Sequence, residues 1–194
     1  MNVETISLIV TIILAFTGYL VTYWNSLRIA KRQELLDLVN RRISEFYGPL
    51  YVATQTSDKA YRALLQKLGK KAVFDDKNDP PTERDIAEWR VWLETVFMPN
   101  NLLIEKLIIE KAYLIQDEQM PDCLLEYITH VSGYKAVMKK WSKGDYSENV
   151  SVIGFPEGLR EYAAKSYKEL KTKQLQLIGN TKIKLRIDKT HSLY

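Results

Sequence analysis

The sequence predicts an all-α protein: one N-terminal transmembrane helix continuing into a cytoplasmic bundle of about five to six helices, with a small β accessory as an optional addition. Three observations carry this. Thr5 to Leu27 contains no charged residue, and at about 1.5 Å of rise per residue its apolar run matches the ~30 Å hydrocarbon core of a bilayer. Beyond it, apolar residues recur at spacings of three and four. Prolines fall just inside the expected helix starts and glycines just past the stops. The chain divides into an anchor (1–27), a bundle (28–180) and a basic tail (181–194).

Taken in order, the anchor helix is expected to continue through Leu35, Val39, Ile43 and Phe46 until Gly48-Pro49 interrupts it. A second helix follows Pro49, with Tyr61, Leu64, Leu65 and Leu68 on one side and Gly69 as its stop. The segment Gly69 to Pro81 reads as a loop. Thr82 then offers an N-cap with Asp85 at the reciprocal position, ahead of Ile86, Trp89, Leu93 and Val96. Met98-Pro99-Asn100-Asn101 is expected to separate that helix from one built on Leu103, Leu107 and Leu114. Pro121 opens a helix through Leu125, Ile128, Val131, Met138 and Trp141; a Gly-, Ser- and Asp-containing connection then leads to Pro156, and a last helix runs through Leu159, Tyr162, Ala163, Tyr167, Leu170 and Leu177 to Gly179. Asn149 to Phe155 and the tail from Thr181 have strand-like composition, short enough for loops or for a small hairpin.

A cleaved signal peptide would begin with Lys or Arg and end its apolar run in small residues; this chain opens Met-Asn-Val-Glu and closes the run in Tyr23-Trp24, which fits an anchor. Tyr19, Tyr23 and Trp24 suit one headgroup layer. Past them come Arg28, Lys31, Arg32, Arg41 and Arg42 against Glu34 and Asp37, whereas the other flank has only Glu4. Positive charge stays with the cytoplasm, so the N-terminus is expected outside and the rest inside.

Ser7, Thr11, Ala15, Gly18, Thr22 and Asn25 or Ser26 share about 100° of arc on the anchor helix. Small residues let helix backbones approach, so the stripe reads as a self-association face whose hydroxyls are placed to line a narrow pore. The alternative is that the hydroxyls simply bond to the preceding turn.

Charge is uneven. Asp75 to Glu126 carries thirteen acidic residues against five basic, and Lys165 to His191 eight basic against two acidic, so the formal net charge of +4 hides an acidic middle and basic ends. Opposite charges on neighbouring helices account for this as a solvated surface. The functional reading is contact with anionic membrane lipid, or with RNA or a nucleotide at the basic C-terminal region, where Tyr162 and Tyr167 are either core or stacking aromatics.

Catalytic signatures are sparse. The sequence contains no GxxxxGK[ST], GxSxG, HExxH or CxxC, and its two histidines, His130 and His191, cannot build a multi-histidine metal site in one subunit. No metal and no cofactor is expected. Cys123 is the single cysteine, which excludes an internal disulfide and reads as a small core residue. The acidic run from Asp75 to Asp79 lacks the turn glycine and closing glutamate of a calcium loop. His130 reads as a core histidine.

Arg186-Ile-Asp-Lys-Thr-His191 matches the R-x4-H form of the motif in HEPN domains, helical bundles that dimerise around a metal-independent RNA-cleaving site. That resemblance implies Arg186 steadying phosphate charge and His191 moving a proton. The layout as a whole resembles the small membrane effectors of bacterial antiphage systems, closest in outline to the membrane accessory proteins of type VI-B CRISPR loci, described as having a divergent HEPN-like domain. It implies a homo-oligomer that perturbs the bacterial inner membrane when its cytoplasmic domain receives a signal. Two alternatives stand beside it: a tethered scaffold that recruits a cytoplasmic protein partner, and a membrane-bound HEPN-like ribonuclease.

Overall fold

The structure is a computed structural model that describes residues 2–75 and 77–179. Six α-helices are present among the described residues: α1 (Val3–Arg42), α2 (Gly48–Leu68), α3 (Glu83–Trp92), α4 (Met98–Glu110), α5 (Asp122–Trp141) and α6 (Leu159–Ile178). No strand forms among those residues. The strand-like Asn149 to Phe155 is an irregular loop, and the second strand-like segment, from Thr181, lies outside the described residues.

The two expected proline breaks are not breaks. A proline within a helix lacks the amide donor, and its ring crowds the carbonyl four residues back. Ahead of Pro49 the chain widens into a π-turn, Ile43–Tyr47, in which the Gly48 N–H reaches back to the Ile43 carbonyl. A second π-turn, Leu93–Phe97, precedes Pro99 in the same way, with the Met98 N–H on the Leu93 carbonyl. The extra residue in each turn absorbs the missing donor, and the backbone remains helical on both sides. An alanine methyl at Gly48 would lie 2.5 Å from the Ile43 carbonyl oxygen, so glycine suits this first turn; Met98 occupies the matching place after the second.

The widened turns also shift which residues face inward. After Trp89 and Leu93 the next buried residue is Phe97, and the expected Val96 is exposed. On α4 the buried positions are Met98, Asn101, Ile104, Glu105 and Ile108, while Leu103, expected inside, is exposed. Partners on α5 explain the polar pair. The Tyr127 hydroxyl donates to Asn101 Oδ1 at 2.9 Å, and Lys135 Nζ reaches both Glu105 oxygens at 2.6 and 2.7 Å. Leu124, Tyr127, Val131, Tyr134 and Val137 accordingly form the inner face of α5, about one residue out of phase with the expected Leu125, Ile128 and Met138.

Local signals hold where they are self-contained. Thr82 and Asp85 make the reciprocal capping box, Asp85 N–H to Thr82 Oγ1 at 3.2 Å and Thr82 N–H to Asp85 Oδ2 at 2.9 Å. Gly69 and Gly179 end α2 and α6 at φ of +70° and +86°. The loop between α2 and α3 is gathered by Lys70, whose side chain is only 7% exposed and bonds Asp79 at 2.8 Å; Asp75 accepts from Asn78.

The described residues form two compact units, one made of residues 2–40 and 172–179, the other lying within Arg41–Lys171. In the first unit α1 is exposed from Val3 to Leu35 and carries no charge from Thr5 to Leu27. The end of α6 runs antiparallel to it: Gln174 bonds Asn40 at 2.6 Å, and Arg32 Nε donates to the Leu177 carbonyl at 2.6 Å. A guanidinium there satisfies a carbonyl left open at a helix C-terminus. In the second unit α2 packs on α4, and α4 on α5.

Candidate functional site

The second unit holds a half-open cavity of about 880 Å³, within the range of small-molecule sites. α2 contributes Asp58 and Tyr61, α3 Trp89, the following π-turn Leu93 and Phe97, and α4 Asn101. His130 and Tyr134 of α5 complete the floor. The loop ahead of α3 adds Phe74, the loop after α5 adds Ser151 and Phe155, and the start of α6 brings Arg160 and Glu161.

The walls are aromatic, with Trp89 at their centre. Phe97 and Phe74 lie 5.6 Å from its ring, the latter edge-on, and Tyr61 and Tyr134 lie 6.4 Å away. His130 stands edge-on to Tyr134 at 5.0 Å and to Phe155 at 5.5 Å. Such edge-to-face pairs fix ring orientation as well as burying area.

Ring N–H groups tie down the loop that closes the cavity. Trp89 Nε1 donates to the Asn149 carbonyl at 2.8 Å, Trp141 Nε1 to the Glu148 carbonyl at 2.7 Å, and His130 Nδ1 lies 2.7 Å from the Ile153 carbonyl. Arg90 reinforces them, bonding Asn149 Oδ1 at 2.9 Å with its guanidinium over the rings of Tyr146 and Trp141. Close approach also needs Gly133, where an added Cβ would sit 2.1 Å from Ser151 Oγ.

The rim is mostly acidic. Asp58 accepts from Arg160 at 2.6 Å and from Arg62 at 2.8 Å, and Glu161 accepts from Arg160 at 3.1 Å. Glu157 stands exposed beside them.

Burial keeps the inner groups uncharged. It lowers the His130 pKa from the ordinary histidine value, against the opposing pull of the Ile153 and Gly154 carbonyls, and it pushes Tyr134 up to about 12. A neutral imidazole with Nδ1 facing a backbone carbonyl donates there and orients the loop. Ser57 Oγ is engaged by Asn100 Nδ2 at 2.6 Å. Among the described lining residues no hydroxyl bonds the His130 ring, and the cavity offers aromatic walls with a few polar groups, a lining of the kind that can receive a ligand.

The residues singled out from sequence lie elsewhere. Ser7, Thr11, Ala15, Gly18, Thr22 and Ser26 are exposed on α1, as are Tyr19, Tyr23, Trp24, Arg28, Lys31 and Arg32. Thr11 and Thr22 donate back to the carbonyls of Ser7 and Gly18 at 2.9 and 2.8 Å, so their protons are used within the helix. Nothing lies within 4 Å of a Cβ placed on Gly18, which leaves that face open to approach. Arg186 and His191 lie outside the described residues. Tyr162 and Tyr167 are engaged within the second unit: the Tyr162 hydroxyl donates to Asp117 at 2.7 Å, and Tyr167 stacks on Tyr51 at 4.9 Å. Cys123 is half-buried and its thiol pKa is raised by that burial.

Sequence reasoning missed the cavity. It placed Tyr61 and Trp89 on helix faces but had no spacing to join them to Phe74, Tyr134 or Phe155. No family model, curated protein or solved structure matches the chain.

Proposed function

We propose that this is a single-pass inner-membrane protein that self-associates through its anchor and perturbs the membrane under the control of its cytoplasmic helical domain, in the manner of an antiphage effector. The observation that carries the reading is the exposure of α1: its apolar residues from Val3 to Leu27 are covered by nothing in the fold. A water-soluble protein does not leave so long an apolar surface bare, whereas lipid covers it at no cost. Tyr19 and Tyr23, stacked at 6.3 Å, and Trp24 suit the headgroup layer, and Arg28, Lys31 and Arg32 beyond them favour the cytoplasmic side.

Self-association rests on the small-residue stripe. Because Thr11 and Thr22 use their protons internally, the stripe supports close backbone approach at Gly18 rather than hydroxyl bonds between helices. A leucine there fills the open face. Gly18→Leu is expected to lower the oligomer mass in maltoside detergent and to abolish membrane permeabilisation, read as dye release from vesicles holding the protein. Unchanged mass and full release would refute the assembly. Recovery of the intact chain in the soluble fraction would refute the anchor itself.

A further inference from the structure

We propose that the aromatic cavity is a receptor site for an organic cation: an amine or quaternary ammonium borne on an apolar or aromatic body. Three properties converge on this class.

The first is the wall. Tyr61, Phe74, Trp89, Phe97, Tyr134 and Phe155 supply six ring systems to one space. Ring faces carry negative quadrupole charge and attract a cation, more strongly when both are desolvated. The protein's own cation–π contacts near the loop, those of Arg90, fall on Tyr146 and Trp141, which do not line the cavity.

The second is the sign of the rim. Asp58, Glu157 and Glu161 outnumber the two guanidinium groups that reach them: Arg160 is shared between Asp58 and Glu161, Arg62 bonds Asp58 from outside the lining, and the rim keeps a net negative charge. An anionic ligand would meet Glu157 and find both arginines occupied by carboxylates. A cation enters a field of favourable sign. His130 does not reverse it, since its burial keeps the imidazole neutral.

The third is size. About 880 Å³ is far more than an ammonium group fills, so charge alone cannot account for the volume; an attached apolar body can. Such a body also recovers the hydrophobic free energy of covering Val150 and Phe155, the exposed apolar side chains of the lining.

The site lies wholly within Arg41–Lys171 and its assignment does not depend on how the anchors assemble. The test uses full-length protein in maltoside detergent and isothermal titration with three phenyl probes of different charge: benzyltrimethylammonium, neutral N,N-dimethylbenzamide and anionic benzylphosphonate. The cation is expected to bind about ten-fold more tightly than the amide, and the phosphonate more weakly than either. Replacing the exposed rim carboxylates together, Glu157→Gln with Glu161→Gln, is expected to weaken the cation about five-fold while leaving the amide unchanged. Tyr61→Leu is expected to weaken the cation more than the amide. The proposal is overturned if the amide or phosphonate matches the cation, if none of the three binds at millimolar concentration, or if the rim substitutions leave the cation's affinity unaltered.

Discussion

α1 and α5 are both long helices rich in large apolar side chains, yet they dispose of them in opposite ways. The first half of α1 exposes Ile6, Leu8, Val10, Ile12, Leu14 and Phe16, whereas α5 buries Leu124, Tyr127, Val131, Tyr134 and Val137 on one side and turns Glu126 and Lys139 outward. The difference is one of solvent. A helix apolar all round has no face to prefer and needs an apolar medium; a one-sided helix needs only a neighbour. Stability of the helical domain should therefore depend on α5 and be indifferent to the exposed first half of α1.

The widest test of that contrast compares equal truncations. Leu124→Ala removes a fully buried side chain and is expected to cost about 2–5 kcal/mol in denaturant unfolding followed by circular dichroism. Leu14→Ala, at an exposed position of α1, should leave the same transition within about 0.5 kcal/mol. A comparable loss from both would show that α1 is part of the domain core.

A smaller effect sharpens the account of α5 as a scaffold for the cavity. Gly133→Ala drives a methyl against Ser151 and is expected to cost about 1–3 kcal/mol. Adding Ser151→Gly should restore most of it, because the obstruction is one side chain. Failure of the second change to rescue would place the strain in the helix itself.

The smallest effect concerns pH. Folding lowers the His130 pKa below its ordinary 6.5, so on acidification the unfolded chain takes the proton first. Where the unfolded state binds more protons, stability rises with pH. His130 therefore adds no penalty above about pH 6.5, and the melting temperature should fall progressively as pH drops below that value, with the slope reduced in His130→Gln. An identical slope in the variant would assign the acid sensitivity to carboxylates such as Asp85, whose pKa its Thr82 bonds lower.

What was readable in advance was local. Thr82 and Asp85 satisfy each other across one turn, and Gly69 and Gly179 end helices in the left-handed conformation that favours glycine. Pro49 and Pro99 misled for the same reason. By local rules each is a break, but the preceding π-turn takes up the defect and advances the buried face from Val96 to Phe97. The phase of α4 was equally hidden, because Leu102-Leu103-Ile104 and Leu107-Ile108-Ile109 offer apolar residues in every direction. Only Tyr127 and Lys135, reaching across to Asn101 and Glu105, choose the inward side.

The sequence by itself determined the uncharged N-terminal helix, the helical class and most helix ends, since each follows from composition or from contacts within a few residues. Tertiary structure alone decided the cavity. Tyr61, Phe74, Trp89, Tyr134, Phe155 and Arg160 come from six separate stretches of chain. No periodicity links them, and their rings share one space only because α2 packs on α4, α4 on α5, and three ring N–H groups hold the closing loop in place.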